Sequence, residues 1–143
     1  MGILNEKIKY EDLKYKQREI YNFQRVSAVF AEYGYSVTAL RDDVEFADFV
    51  AVHFLRKESK KLWVQLKGRL TFWKEYFNKD LYICFFDRKR EPKTWYLYPH
   101  DELYKELESE LCEKEGWKKN QEYGMDSFPD WAKDYLEKYK IDQ

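Results

Sequence analysis

Between Gly34 and Pro99 five short runs rich in β-branched and aromatic residues follow one another: residues 35–40 (YSVTAL), 47–54 (ADFVAVHF), 62–67 (LWVQLK), 81–86 (LYICFF) and 94–98 (TWYLY). Runs of this length and composition, bounded by polar turns, predict strands. Ahead of them, residues 10–33 lack Gly and Pro, and Ile20, Phe23, Ser27 and Phe30 recur at helical spacing among charged residues. The chain must therefore pair about five strands and cover them with a long first helix, which Gly34 stops. Residues 41–43 (RDD) read as a polar turn, and the charged residues 56–61 predict an antiparallel hairpin with a longer loop. Residues 69–80 (RLTFWKEYFNKD) fit neither period, and a short helix or turn is expected there. Asp101 opens a second helical pattern through Leu103, Leu107 and Leu111 to Gly116, and a last helix is expected over residues 129–139.

A chain of 143 residues suffices for one core, so residues 1–143 are expected to form a single domain. With 44% hydrophobic and 37% charged residues it has both a core and solvating groups, which excludes wholesale disorder. The net charge of −1, from 26 basic and 27 acidic residues, excludes a global positive field, so any contact with nucleic acid must use a local patch. No stretch approaches the roughly 20 apolar residues that span a bilayer. Residues 1–12 lack the apolar core of a signal peptide, and a cytoplasmic protein without membrane contact is expected. Cys84 and Cys112 have neither zinc-type nor redox-type spacing and read as reduced thiols.

The second run carries Asp48 among apolar residues, where a charge is costly unless paired or metal-bound. On the third run Gln65 and Lys67 stand two residues apart, so strand alternation puts both on one face, with Val64 and Leu66 on the other. One hairpin can thus gather Asp48, Gln65 and Lys67. An acid and an amide oxygen, helped by the Leu66 carbonyl, can hold Mg²⁺, and a lysine beside them can orient a water or offset developing charge: this suits phosphodiester hydrolysis. A structural role is the alternative, with Asp48 capping the start of its strand and Lys67 a solvated strand end. His53 falls on the strand face opposite Asp48, and His100 precedes Asp101 at a helix start; neither completes a metal or triad set, and both read as structural. The basic and aromatic residues Lys67, Arg69, Phe72, Trp73, Lys74 and Tyr76 could follow a phosphate backbone, with Arg69, Trp73 and Lys74 as the nucleic-acid contacts. They could equally cover the sheet.

The order helix, strand, Ala-Asp-Phe on the next strand, hairpin, then Gln-Leu-Lys-Gly resembles the PD-(D/E)XK nuclease superfamily over roughly residues 15–100. More loosely, residues 95–103 (WYLYPHDEL) resemble a small bacterial branch of it. The resemblance implies an α/β, restriction-endonuclease-like αβββαβ core with a central mixed sheet of about five strands flanked by helices. It implies a metal-dependent nuclease, acting on DNA first, with Mg²⁺ as cofactor and Mn²⁺ as substitute. Asp48, Gln65 and Lys67 match the motif positions, and Gln24 falls at the first-helix position where many members have an acid. Gln24 shares a helix face with Ile20 and Ala28 and is expected beneath the sheet near Asp48. Asp48 is then the one motif carboxylate; Glu45 or Glu19 would supply a second. The rival is a nuclease-like module that binds nucleic acid or a protein partner without cutting, which the neutral Gln24 and Gln65 favour. A structural subunit of a larger assembly is a third reading, and a homodimer is compatible with 13 Tyr and 5 Trp. No small-molecule cofactor is implied.

Overall fold

The computed structural model describes residues 2–44, 46–56 and 58–143, and of residues 42–44 the backbone alone. It is a mixed α/β fold. Helix α1 (Tyr15–Glu32) leads into strands β1 (Tyr35–Val44), β2 (Ala47–His53), β3 (Leu62–Lys67), β4 (Leu70–Trp73), β5 (Leu81–Asp87) and β6 (Thr94–Pro99). Helices α2 (His100–Leu111) and α3 (Glu115–Asn120), strand β7 (Glu122–Met125) and the short helix α4 (Lys133–Leu136) complete the chain. The main sheet has the order β1-β2-β3-β5-β6, and β4 and β7 form a separate two-stranded sheet. The five runs read from the sequence are the five strands of the main sheet. Strands β2 and β3 form the expected antiparallel hairpin.

Helix α1 begins at Tyr15 rather than residue 10, because Tyr10–Asp12 is a separate one-turn 3-10 helix. The Lys14 N–H donates to the Gln17 side chain at 2.9 Å and starts the helix there. Its buried stripe is Phe23, Val26, Val29 and Phe30, not the expected series through Ile20 and Ser27; Ile20 is 50% exposed. The stripe packs on Phe49, Ala51, Val64, Cys84 and Trp95, which all point to one sheet face. At the helix end Gly34 has φ +88°, and a Cβ there would sit 2.6 Å from His53 Nε2, so glycine is required by both backbone and space. Residues 41–43, expected as a turn, extend β1 instead, with a register irregularity between Ala39 and Val44.

The opposite face of the sheet carries Ile83, Phe85, Tyr96 and Tyr98, covered by Leu103, Leu107 and Leu111 of α2 and by β4. Strands β3 and β5 run parallel, so residues 68–80 must cross from one end of the sheet to the other, and they do so over this face. The expected short helix or turn is there only in part. Leu70, Thr71 and Phe72 are buried in β4, and the one-turn 3-10 helix Lys74–Tyr76 follows. Strand β7, which the sequence reading did not anticipate, pairs along one edge of β4.

Side chains satisfy the other edge of β4. The Tyr98 hydroxyl accepts the Thr71 N–H at 3.0 Å and donates to the Thr71 carbonyl at 2.7 Å. His100 Nε2 accepts the Trp73 N–H at 3.1 Å, and Asp101 takes the other ring nitrogen at 2.9 Å. The imidazole is therefore neutral, with its proton on Nδ1, and burial holds its pKa below the ordinary value against the opposing pull of Asp101. Among the described residues no helix is long and apolar enough to cross a membrane.

Two outcomes follow from this clamp. Tyr98→Phe leaves both Thr71 backbone groups buried without partners and should cost about 1–3 kcal/mol, read as a lower urea midpoint with an unchanged slope. His100 takes up a proton less readily when folded than when unfolded. Its contribution is therefore lost as pH falls below its unfolded value of about 6.5, and none is lost above it. Thermal melts at stepped pH should show this decline in wild type and a flatter profile in His100→Gln.

Candidate active site

Strand β2 alternates regularly: Phe49, Ala51 and His53 point toward α1 or its adjoining loop, and Asp48, Val50 and Val52 to the face under β4 and α2. On β3, Gln65 and Lys67 stand in register with Ile83 and Phe85, which lie in the core on that same side. Asp48, Gln65 and Lys67 therefore share one face of the sheet, as the hairpin alternation predicts.

The β2–β3 ladder runs through Ala51, Val50 and Phe49, opposite Leu62, Trp63 and Val64. Beyond Phe49 the Asp48 carboxylate takes over the pairing, accepting the Leu66 N–H at 2.7 Å. A strand residue directs its N–H and C=O to the same side, so the Leu66 carbonyl faces this junction as well. Gln65, next in register after Val64, stands beside it. The Asp48 carboxylate, the Leu66 carbonyl and the strand position of Gln65 thus adjoin where the two strands stop pairing.

Lys67 closes β3 and lies 5.8 Å from the centre of the Tyr76 ring. Burial pushes the Tyr76 phenol above its ordinary pKa, Lys67 pulls it back, and the charges of Asp48 and Glu122 raise it again. Tyr76 thus senses a lysine and two carboxylates. Its position is held by Trp73 at 5.1 Å, Phe46 at 5.7 Å and His100 at 5.4 Å, ring centre to ring centre. Two clefts, of about 210 and 360 Å³, meet at Lys67 and Gly68. The larger is lined by Arg69, Thr71, Asn120, Glu122, Tyr123 and Gly124.

Gln24 does not join this group. It is exposed on α1, with Ile20 and Ala28, on the side turned away from the sheet. The helix moreover packs against the face opposite Asp48, so the whole sheet intervenes. The physical reason is the stripe: Val26, Val29 and Phe30 bury more apolar surface than Ile20 and Ala28 could, and they set the helix rotation. Glu19 is likewise turned outward, paired with Lys16 at 3.2 Å. Glu45 lies outside the described residues.

Of the other residues, Arg69 is held by the Gly124 carbonyl at 3.0 Å and by Asp126 at 3.3 Å, at the rim of the larger cleft. Trp73 is half-buried in the aromatic cluster with Phe46 and Tyr76, and Lys74 is exposed. His53 is structural: its Nδ1 accepts the Leu55 and Arg56 N–H groups at 3.2 and 2.8 Å. Cys84 is buried, and burial pushes its thiol pKa well up; Cys112 is exposed. Sequence reasoning placed Tyr76 in the basic and aromatic segment without joining it to Lys67, and it missed Glu122. Glu122 reaches the site because β7 pairs with β4 some 50 residues earlier in the chain, setting it opposite Trp73. No local spacing encodes that.

Among the described residues no three His, Cys, Asp or Glu side chains are grouped as they would be in an all-protein metal cage. Mg²⁺ does not need one, since it keeps several waters and is commonly held by one or two carboxylates plus substrate phosphate. Asp48, the Gln65 amide and the Leu66 carbonyl suit such a water-rich site. Compared with family models, curated proteins and solved structures, this chain matches none.

The Asp48 carboxylate has a structural duty separable from its charge. Asp48→Asn retains an oxygen for the Leu66 N–H and should stay within about 1 kcal/mol of wild type, whereas Asp48→Ala should lose about 1–3 kcal/mol. Chemical denaturation of the pair decides it.

Proposed function

We propose that this protein is a metal-dependent nuclease that hydrolyses phosphodiester bonds of nucleic acid, DNA first, on a restriction-endonuclease-like variant of the α/β fold. The observation that carries the reading is the Asp48 carboxylate bonded to Leu66 N–H at the end of the β2–β3 ladder, with Gln65 and Lys67 on the same sheet face as Asp48. Asp48 and Gln65, with the Leu66 carbonyl, would hold Mg²⁺ or Mn²⁺. When bound, such an ion supplies Lewis-acid polarisation of the phosphate and acidifies water. Lys67, which has no ion-pair partner among the described residues, offers its ammonium to the non-bridging phosphate oxygens and offsets the charge that grows on them. Tyr76 limits the freedom of that lysine from one side. Arg69 lines the larger cleft and Lys74 is exposed just after β4, where they can meet flanking phosphates.

The crossover departs from the αβββαβ pattern, since a strand and one 3-10 turn stand where a helix between β3 and the next sheet strand would be expected. The departure leaves the catalytic hairpin intact. A second reading, a module that binds nucleic acid without cutting, draws support from Asp48 being the one carboxylate among the described residues that bonds to the hairpin and from the outward position of Gln24.

Circular DNA, linear DNA and RNA incubated with the protein in Mg²⁺, Mn²⁺ or EDTA distinguish the two. A nuclease should cut only with metal, and Lys67→Ala and Asp48→Asn should each slow it by at least about 100-fold while remaining folded. Absence of cutting in every condition, with retained salt-sensitive binding, would leave the binding module.

A further inference from the structure

The smaller cleft lies at the C-terminal ends of β3 and β5, on the α1 side, and three cationic residues line it: Lys67, Arg88 and Lys89. Among the described residues its one carboxylate, Asp126, is paired with Arg69 at 3.3 Å. Arg88 is held almost wholly by neutral groups. Its guanidinium lies 3.6 Å from the centre of the Tyr10 ring and 4.9 Å from that of Phe86, and its Nη2 donates to Asn22 Oδ1 at 2.8 Å. Asn22 is fixed in turn by donating to the Tyr10 hydroxyl at 3.0 Å. The other N–H groups of Arg88 have no acceptor among the described residues.

The backbone beneath Arg88 is also pinned. Asp87, 1% exposed, accepts the Lys89 and Arg90 N–H groups at 2.9 and 3.1 Å through one oxygen and Ser127 Oγ at 2.6 Å through the other. A second observation points the same way. Trp95 lines this cleft, is 2% exposed, and its indole N–H has no acceptor among the described residues. A buried donor without a partner is costly, and an acceptor supplied by a ligand would satisfy it.

We infer that this cleft binds a backbone phosphate of the nucleic acid, with Arg88 as its anchor, Lys67 and Lys89 adding charge, and the Trp95 indole N–H as a further donor. A planar guanidinium that is pre-oriented and not neutralised by a carboxylate suits bidentate recognition of phosphate oxygens. The inference rests on the nuclease reading for its ligand. The phosphate held here would be distinct from the one at the Asp48 junction, because the cleft opens on the α1 side of Lys67 while Asp48 and Gln65 face the other side. Arg88 and Asn22 are thus positioning and binding residues.

The test uses isotope-labelled protein in EDTA, titrated separately with a short single strand, a short duplex and inorganic phosphate. The Trp95 indole resonance, assigned through Trp95→Phe, is the readout. Oligonucleotide should move that resonance, and Arg88→Ala should raise the oligonucleotide Kd about tenfold and reduce the slope of binding against salt by about 0.7–0.9, the loss of one phosphate contact. Asn22→Asp, which keeps Arg88 but sets a carboxylate against it, should weaken binding comparably without removing any packing. An unmoved indole with every ligand, or wild-type oligonucleotide binding in both variants, overturns the inference. A shift with inorganic phosphate alone overturns the backbone assignment in favour of a free phosphate ligand. Cleavage is scored separately: a protein that cuts but ignores Arg88→Ala loses this subsite and keeps the nuclease reading, whereas Arg88-dependent binding without cutting does the reverse.

Discussion

Because β3 and β5 lie side by side and run the same way, residues 68–80 have to carry the chain back along the sheet before β5 can begin. That obligation organises the rest of the molecule. The returning segment crosses the face opposite α1 and buries Leu70, Phe72 and Tyr76 there. As an isolated strand, β4 would leave unpaired backbone groups inside the core, which is costly. The chain resolves this on one edge with β7 and on the other with Tyr98 and His100, two side chains from the end of β6 and the start of α2. The crossover thereby fastens the C-terminal third of the protein to the sheet and sets Tyr76 beside Lys67.

The same geometry explains why chemistry-bearing groups collect at one end of the sheet. Strands β2 and β3 stop pairing after Phe49 and Val64, and the Asp48 carboxylate stands in for the next backbone partner. Lys67 sits at the end of β3, where a cleft on the crossover side meets a cleft on the α1 side. Acidic and amide groups gather on the first side, and on the second Arg88 and Lys89, which have no ion-pair partner among the described residues. A chain whose net charge is −1 can in this way carry a locally cationic cleft.

Some of this was legible from residue order alone. Asp48, Gln65 and Lys67 share a face because strand alternation has a strict period of two, which needs no tertiary information. The five strands of the main sheet, the hairpin and the structural roles of His53 and His100 were likewise readable. Gln24 was not: Ile20, Gln24 and Ala28 form a face as regular as Phe23, Val26 and Phe30, and which one turns inward depends on how much apolar area each can bury. The five residues of the Arg88 assembly escaped notice for another reason. Tyr10, Asn22, Phe86, Arg88 and Trp95 come from four separate segments and carry no spacing signal.

By itself the sequence determined the local, periodic features: which segments are strands, which residues share a strand face, and where Gly34 ends the first helix. These depend on steric and hydrophobic preferences acting over a few residues. Only the tertiary structure decided the rotation of α1, the pairing of β4 with β7, and the joining of Lys67 with Tyr76, Glu122 and Arg88. Those outcomes arise from competition among distant surfaces for burial and from backbone groups that must find partners inside the core, and neither leaves a trace in residue spacing.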